Sequence, residues 1–141
     1  MSTQKVFLSW KWVDDQINLI GDKLESVPDL EFIAGVPRGG LIPAVMMSHA
    51  FGIKYISYSS AKLLPKELRE NTLVIDDIAD TGVTLKEAVE LQFKTATLAM
   101  RSSTSTMPLF YGDLITDDSW LVFPWEKLDS IPMQDYLVNQ D

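Results

Sequence analysis

Cysteine is absent from this chain, which excludes disulfides and thiolate metal sites and fits a reducing compartment. Histidine occurs once, as His49, in an apolar segment that offers no catalytic triad. No apolar stretch is long enough to span a bilayer, and no basic segment followed by a long apolar run opens the chain. A cytoplasmic protein without a membrane partner is therefore expected. Cations are also scarce: 12 Lys and Arg face 20 Asp and Glu, for a net charge of −8. That balance opposes the phosphate backbone of nucleic acids, so no nucleic-acid partner is expected. What is present is ample apolar material, 46% of 141 residues, sufficient for one core in one domain, 1–141.

The apolar positions set an alternating order of strands and helices. Ser9 reads as the cap of a helix whose buried face recurs at Val13, Ile17, Ile20 and Leu24. Leu30 to Ala34 reads as a buried strand and Val36-Pro37-Arg38-Gly39-Gly40 as a loop. Leu41 to Phe51 reads as a helix and Lys54 to Tyr58 as a short strand. Residues 59–71 read as a mobile lid loop with a helical turn around Pro65 to Arg69. Leu73-Val74-Ile75 is the clearest strand and runs into a loop from Asp76 to Gly82, followed by a helix from Thr84 to Phe93. Thr95 to Met100, Phe110 to Ile115 and Trp120 to Phe123 complete the strands. This alternation implies an α/β fold: a mainly parallel sheet flanked by helices, with ligands at the carboxyl ends of its strands. Both glycine-bearing loops fall at that edge.

The segment Asp80-Thr81-Gly82-Val83-Thr84 has the makings of a phosphate cradle. A helix start offers N–H groups and a favourable dipole end, Gly82 permits close approach, and Thr81 and Thr84 add hydroxyls. Bonds to a charged group contribute about 1.5–3 kcal/mol each, so several could hold a phosphate dianion on an acidic chain. Asp76 and Asp77 would repel that phosphate unless they accept from sugar hydroxyls or face a cation such as Mg²⁺, directly or through water. Singly, each Asp is an ordinary turn or cap residue. Together on one strand-to-helix turn they point to a ribose phosphate.

The run from Leu73 to Leu85 resembles the signature that type I phosphoribosyltransferases use to bind phosphoribosyl pyrophosphate (PRPP). The resemblance implies that Asp76 and Asp77 bind ribose hydroxyls and Mg²⁺, that Asp80 lies near base and ribose, and that Asp80 to Thr84 cradle the 5′-phosphate. The loop Pro37-Arg38-Gly39-Gly40 resembles the family's pyrophosphate loop, with Arg38 as the cation on the leaving group. In the family the peptide bond before that Arg is often cis. Lys62, Lys66 and Arg69 are the lid cations that could reach pyrophosphate.

Trp120 to Glu126 resembles the base-recognition motif of the xanthine-guanine branch, within a segment 102–141 read as base recognition plus tail. By that resemblance Trp120 stacks on the purine, Leu121 reads its edge through the backbone, and Glu126 approaches the exocyclic amine. Arg101 stands where the branch has a Lys that donates to the purine 6-oxygen; it keeps the charge but presents a larger fork. Trp125 reads as core packing, and Trp10 and Trp12 as packing or subunit-contact residues. The expected partners are PRPP and a purine base, and family members of this size usually form homodimers or homotetramers. The rival expectations are a PRPP- or nucleotide-sensing module without turnover, and an enzyme of the same family with another acceptor base.

Overall fold

The computed structural model describes residues 4–126; the part of the base-recognition segment beyond Glu126 lies outside them. Ser9 accepts from Trp12 N–H at 3.0 Å and opens α1 (Trp10–Lys23), which buries Val13, Ile17 and Ile20. Each such side chain contributes about 1.5–3 kcal/mol. After a 3₁₀ turn, β2 (Phe32–Gly35) leads to α2 (Leu41–Phe51), β3 (Lys54–Tyr55), and the short helices α3 (Tyr58–Ala61) and α4 (Lys66–Arg69). β4 (Thr72–Ala79), α5 (Val83–Glu90), β5 (Lys94–Arg101), β6 (Phe110–Ile115) and β7 (Trp120–Val122) follow.

The main sheet has the order β3-β2-β4-β5-β6 and every pair in it is parallel. β4 is central, and Leu73, Val74 and Ile75 are fully buried, as expected of a strand covered on both faces. α1 and α2 pack on one side and α5 on the other. Because β2 leads outward to β3 and the chain then returns to β4 on the opposite flank of β2, the strand order reverses between β2 and β4. A crevice opens at the carboxyl ends of such a pair.

Several boundaries differ from expectation. β1 (Lys5–Phe7) was not anticipated: three residues carry no periodicity, and they are ordered by pairing in parallel with Trp120, Leu121 and Val122 of β7. β3 spans two residues, because Ser57 caps α3 through Ser60 N–H at 3.1 Å and turns the chain away. Within residues 59–71, α4 supplies the expected helical turn, Thr72 Oγ1 donates to Leu68 O at its end, and α3 adds a second helical turn that was not expected.

Candidate active site

β4 does not end at Ile75. Its pairing with β5 continues through Asp76 opposite Thr97, Ile78 opposite Ala99 and Ala79 opposite Met100, so Asp76 and Asp77 are strand residues rather than loop residues. Their side chains leave opposite faces of the strand. Asp76 is 8% exposed, and its Oδ1 accepts Asp77 N–H at 2.8 Å, while Asp77 Oδ1 accepts Ile78 N–H at 2.8 Å. Each carboxylate is thus oriented by the residue after it.

Gly82 has φ +90°, in the left-handed region, and caps α5; a side chain there would be strained. The Thr81 hydroxyl accepts from Val83 N–H at 3.3 Å. The turn is braced from a direction that sequence reasoning missed. Ser105 donates to Thr81 O through both N–H (3.1 Å) and Oγ (2.7 Å), and a Cβ on Gly82 would strike Thr104, Ser105 and Thr106. The available signal was the Ser/Thr run that directly follows β5, at the same sheet edge as the turn.

Arg101, at the end of β5, donates from Nε to Asp80 Oδ1 at 2.7 Å and from Nη1 to Asp117 O at 2.9 Å. The Asp117 carboxylate accepts Ser119 Oγ at 2.6 Å and Ser119 N–H at 3.0 Å. These bonds, with a smaller pull from Arg101, hold its carboxyl below the usual range. Asp76, Asp77, Asp80, Arg101, Trp120 and Glu126 line one slot, together with Leu121, Thr81, Gly82 and Thr84, whereas Val83 of the same turn lines a second crevice. Glu126 Oε1 accepts Phe123 N–H at 2.7 Å. Trp125 stacks on Phe123 with centroids 5.1 Å apart, and Trp10 packs on Trp125 at 5.9 Å, which is the packing reading.

The loop before α2 is fastened to β4 at the residue preceding Asp76. Val36 N–H donates to Ile75 O at 2.9 Å, and a Cβ on Gly40 would fall on that same carbonyl. A Cβ on Gly39 would fall on the Asp77 carboxylate. The Pro37–Arg38 peptide bond is cis, and Arg38 is exposed.

The second crevice, of about 640 Å³, lies beside this loop, lined by Val36, Pro37, Leu41, Tyr58, Lys62 and Glu87 among others; Thr84 borders both crevices. Tyr58 OH donates to Glu87 Oε1 at 2.8 Å, and Lys62 Nζ is 3.3 Å from the same oxygen and 4.9 Å from the Tyr58 ring centre. Burial, then the Glu87 bond and charge, push the Tyr58 hydroxyl well above its ordinary range, with Asp76 adding a further push. Lys66 pairs with Glu70 at 3.6 Å. Arg69 donates to Leu91 O at 2.9 Å and Leu64 O at 2.7 Å. Of the three expected lid cations, Lys62 lines this second crevice.

No family model matches the chain. Among curated proteins, the xanthine-guanine phosphoribosyltransferase of Idiomarina loihiensis is 27% identical over an alignment 144 positions long that covers 89% of each chain. Among solved structures, the purine phosphoribosyltransferase of Pyrococcus horikoshii Ot3 is 34% identical with a TM-score of 0.74, covering 94% of this chain and 100% of that one. The chain belongs to the type I phosphoribosyltransferases, in their purine branch. The xanthine-guanine-hypoxanthine phosphoribosyltransferase of Helicobacter pylori, at 19% identity and TM-score 0.70, shares the fold. Purine phosphoribosyltransferases are transferases that move a phosphoribosyl group, and that is the family-level activity of this chain.

Proposed function

We propose that the chain transfers the ribosyl 5-phosphate of PRPP to a 6-oxopurine, giving the nucleoside monophosphate and pyrophosphate. The observation that carries this reading is the single slot in which Asp76, Asp77, Thr81, Gly82, Thr84, Arg101 and Trp120 converge. In this reading the 5′-phosphate takes the N–H groups from Asp80 to Thr84, displacing the Thr81 hydroxyl from Val83 N–H. Asp76 and Asp77 accept from the ribose hydroxyls. A guanidinium has five N–H donors, so Arg101 retains donors for a purine 6-oxygen beyond its two bonds to protein. An adenine amino group would meet donor against donor there. Trp120 supplies a stacking face worth about 1–3 kcal/mol, Leu121 presents backbone to the base edge, and Glu126 fixes that backbone through Phe123 N–H.

Displacement at the anomeric carbon develops positive charge on the ribose and negative charge on the leaving pyrophosphate. Asp80 stands to stabilise the first or to relay the base proton. Arg38, the backbone of Pro37 to Gly40, and Lys62 take up the second. Among the described residues no group of three carboxylate or histidine side chains is placed to hold a metal ion by itself. Mg²⁺, which prefers one or two carboxylates completed by water and phosphate oxygens, fits Asp76 and Asp77. Bound there it would neutralise pyrophosphate charge.

A PRPP-sensing module without turnover is the second reading, favoured by the cations of residues 59–71 being engaged within the protein. Turnover with a panel of bases decides between them: release of pyrophosphate with 6-oxopurines supports the enzyme, and PRPP binding without release supports the sensor. A purine-blind panel that responds to another base would keep the family and change the acceptor. Assembly as a homodimer or homotetramer is proposed on the exposed apolar residues Ile42 and Val45 of α2, and sedimentation of the purified chain tests it.

A further inference from the structure

Arg101 touches both halves of the slot. Its Nε bonds the Asp80 carboxylate, on the turn that would hold the 5′-phosphate, and its Nη1 bonds the Asp117 carbonyl, on the connection that leads into Trp120. Arg101 and Asp80 are well covered, with side chains 11% and 20% exposed, so solvent screens the pair less than it would a surface pair. The Asp117 end is itself fixed by the two bonds from Ser119, a buried residue next to Trp120.

We infer that Arg101 is a positioning residue that couples the phosphate turn to the base-side loop, so that occupancy of the purine site and of the PRPP site reinforce each other. This rests on the purine transferase reading and adds to it, because a donor to the 6-oxygen alone would need no fork. A planar guanidinium reaches two fixed acceptors in different directions from one rigid group; a lysine ammonium is a single point on a flexible stem. Ordering either acceptor orders the guanidinium and with it the other acceptor. Such coupling is reciprocal in binding free energy.

Arg101→Lys separates the two roles, since an ammonium can still donate to a 6-oxopurine. The experiment is calorimetric titration of PRPP with Mg²⁺, with and without saturating 9-deazaguanine, a purine that lacks the attacking nitrogen and so cannot turn over. The wild-type chain is expected to bind PRPP at least about fivefold more tightly when the purine is present. Arg101→Lys is expected to reduce that gain to less than about twofold. Asp80→Ala, which removes the acceptor, should lose the same gain, and the double variant no more than either single one. Thermal unfolding of each variant reports whether the fold is intact. A gain retained in Arg101→Lys, with only purine affinity altered, would reduce Arg101 to a base contact and overturn the coupling. Wild-type protein that neither binds PRPP nor releases pyrophosphate would instead remove the transferase reading, a result separate from the first.

Discussion

The turn after β4 and the stretch from Ser57 to Asn71 spend their charges in opposite ways. Leading into the turn, the acids Asp76 and Asp77 of β4 are held by the following N–H groups with their carboxylates on the slot, and at the turn Asp80 draws Arg101 inward. In the second stretch the cations serve the fold: Lys62 meets Glu87, Lys66 meets Glu70, and Arg69 ties Leu64 to Leu91. In the proposed reading, a chain of net charge −8 would receive a polyanion through backbone N–H groups, Arg38, Lys62 and a divalent cation, with Lys66 and Arg69 left to the fold.

The largest expected effect sharpens that contrast. Asp76→Asn with Asp77→Asn should lower turnover by about a thousandfold or more with little change in thermal midpoint, because an amide oxygen can still accept the neighbouring N–H. Retained turnover would break the assignment of both acids. Gly40→Ala should come next, costing about 1–3 kcal/mol of stability in denaturant unfolding, since the new Cβ meets the Ile75 carbonyl. Because Ile75 precedes Asp76, a raised KM for PRPP should accompany the loss. Arg69→Ala is expected to act through stability, by about 1.5–3 kcal/mol. A raised KM for pyrophosphate in the reverse reaction at unchanged stability would return Arg69 to the lid and erase the contrast.

The smallest effect is visible only at high pH. Tyr58 has its hydroxyl pushed up in the fold, whereas an unfolded tyrosine ionises near pH 10. The unfolded state therefore loses its proton first. The contribution of Tyr58 to stability is complete below about pH 10 and falls as the pH rises beyond it, by up to about 1.4 kcal/mol per pH unit. Tyr58→Phe should flatten the high-pH limb of the stability profile. An unchanged limb would place the Glu87 bond outside the stabilising contacts of the stretch.

How far the sequence could be read depended on how local the cause was. α2 was expected from Leu41 to Phe51 and lies there, since Gly40 before it and Gly52 after it, in a left-handed conformation, set its ends locally. The Ser9 cap and the buried Leu73 to Ile75 run were equally local. The strand character of Asp76 and Asp77 was not, because aspartate is a poor strand former and only the pairing of β4 with β5 carries the backbone on to Ala79. β1 exists through its pairing with β7. The site residues expected at the phosphate turn and base motif meet in one slot, as two loops on one sheet edge must. The brace from Ser105 and the engagement of Arg101 by Asp80 and Asp117 join residues 16 to 24 positions apart, beyond any sequence periodicity.

The most direct test of the account is pyrophosphate release from PRPP and Mg²⁺ with hypoxanthine, guanine, xanthine, adenine, uracil and orotate, each beside the Asp76→Asn and Asp77→Asn double variant. The account predicts release with 6-oxopurines that disappears in the variant. Release with none of the bases, while PRPP still raises the thermal midpoint of the protein, would contradict it.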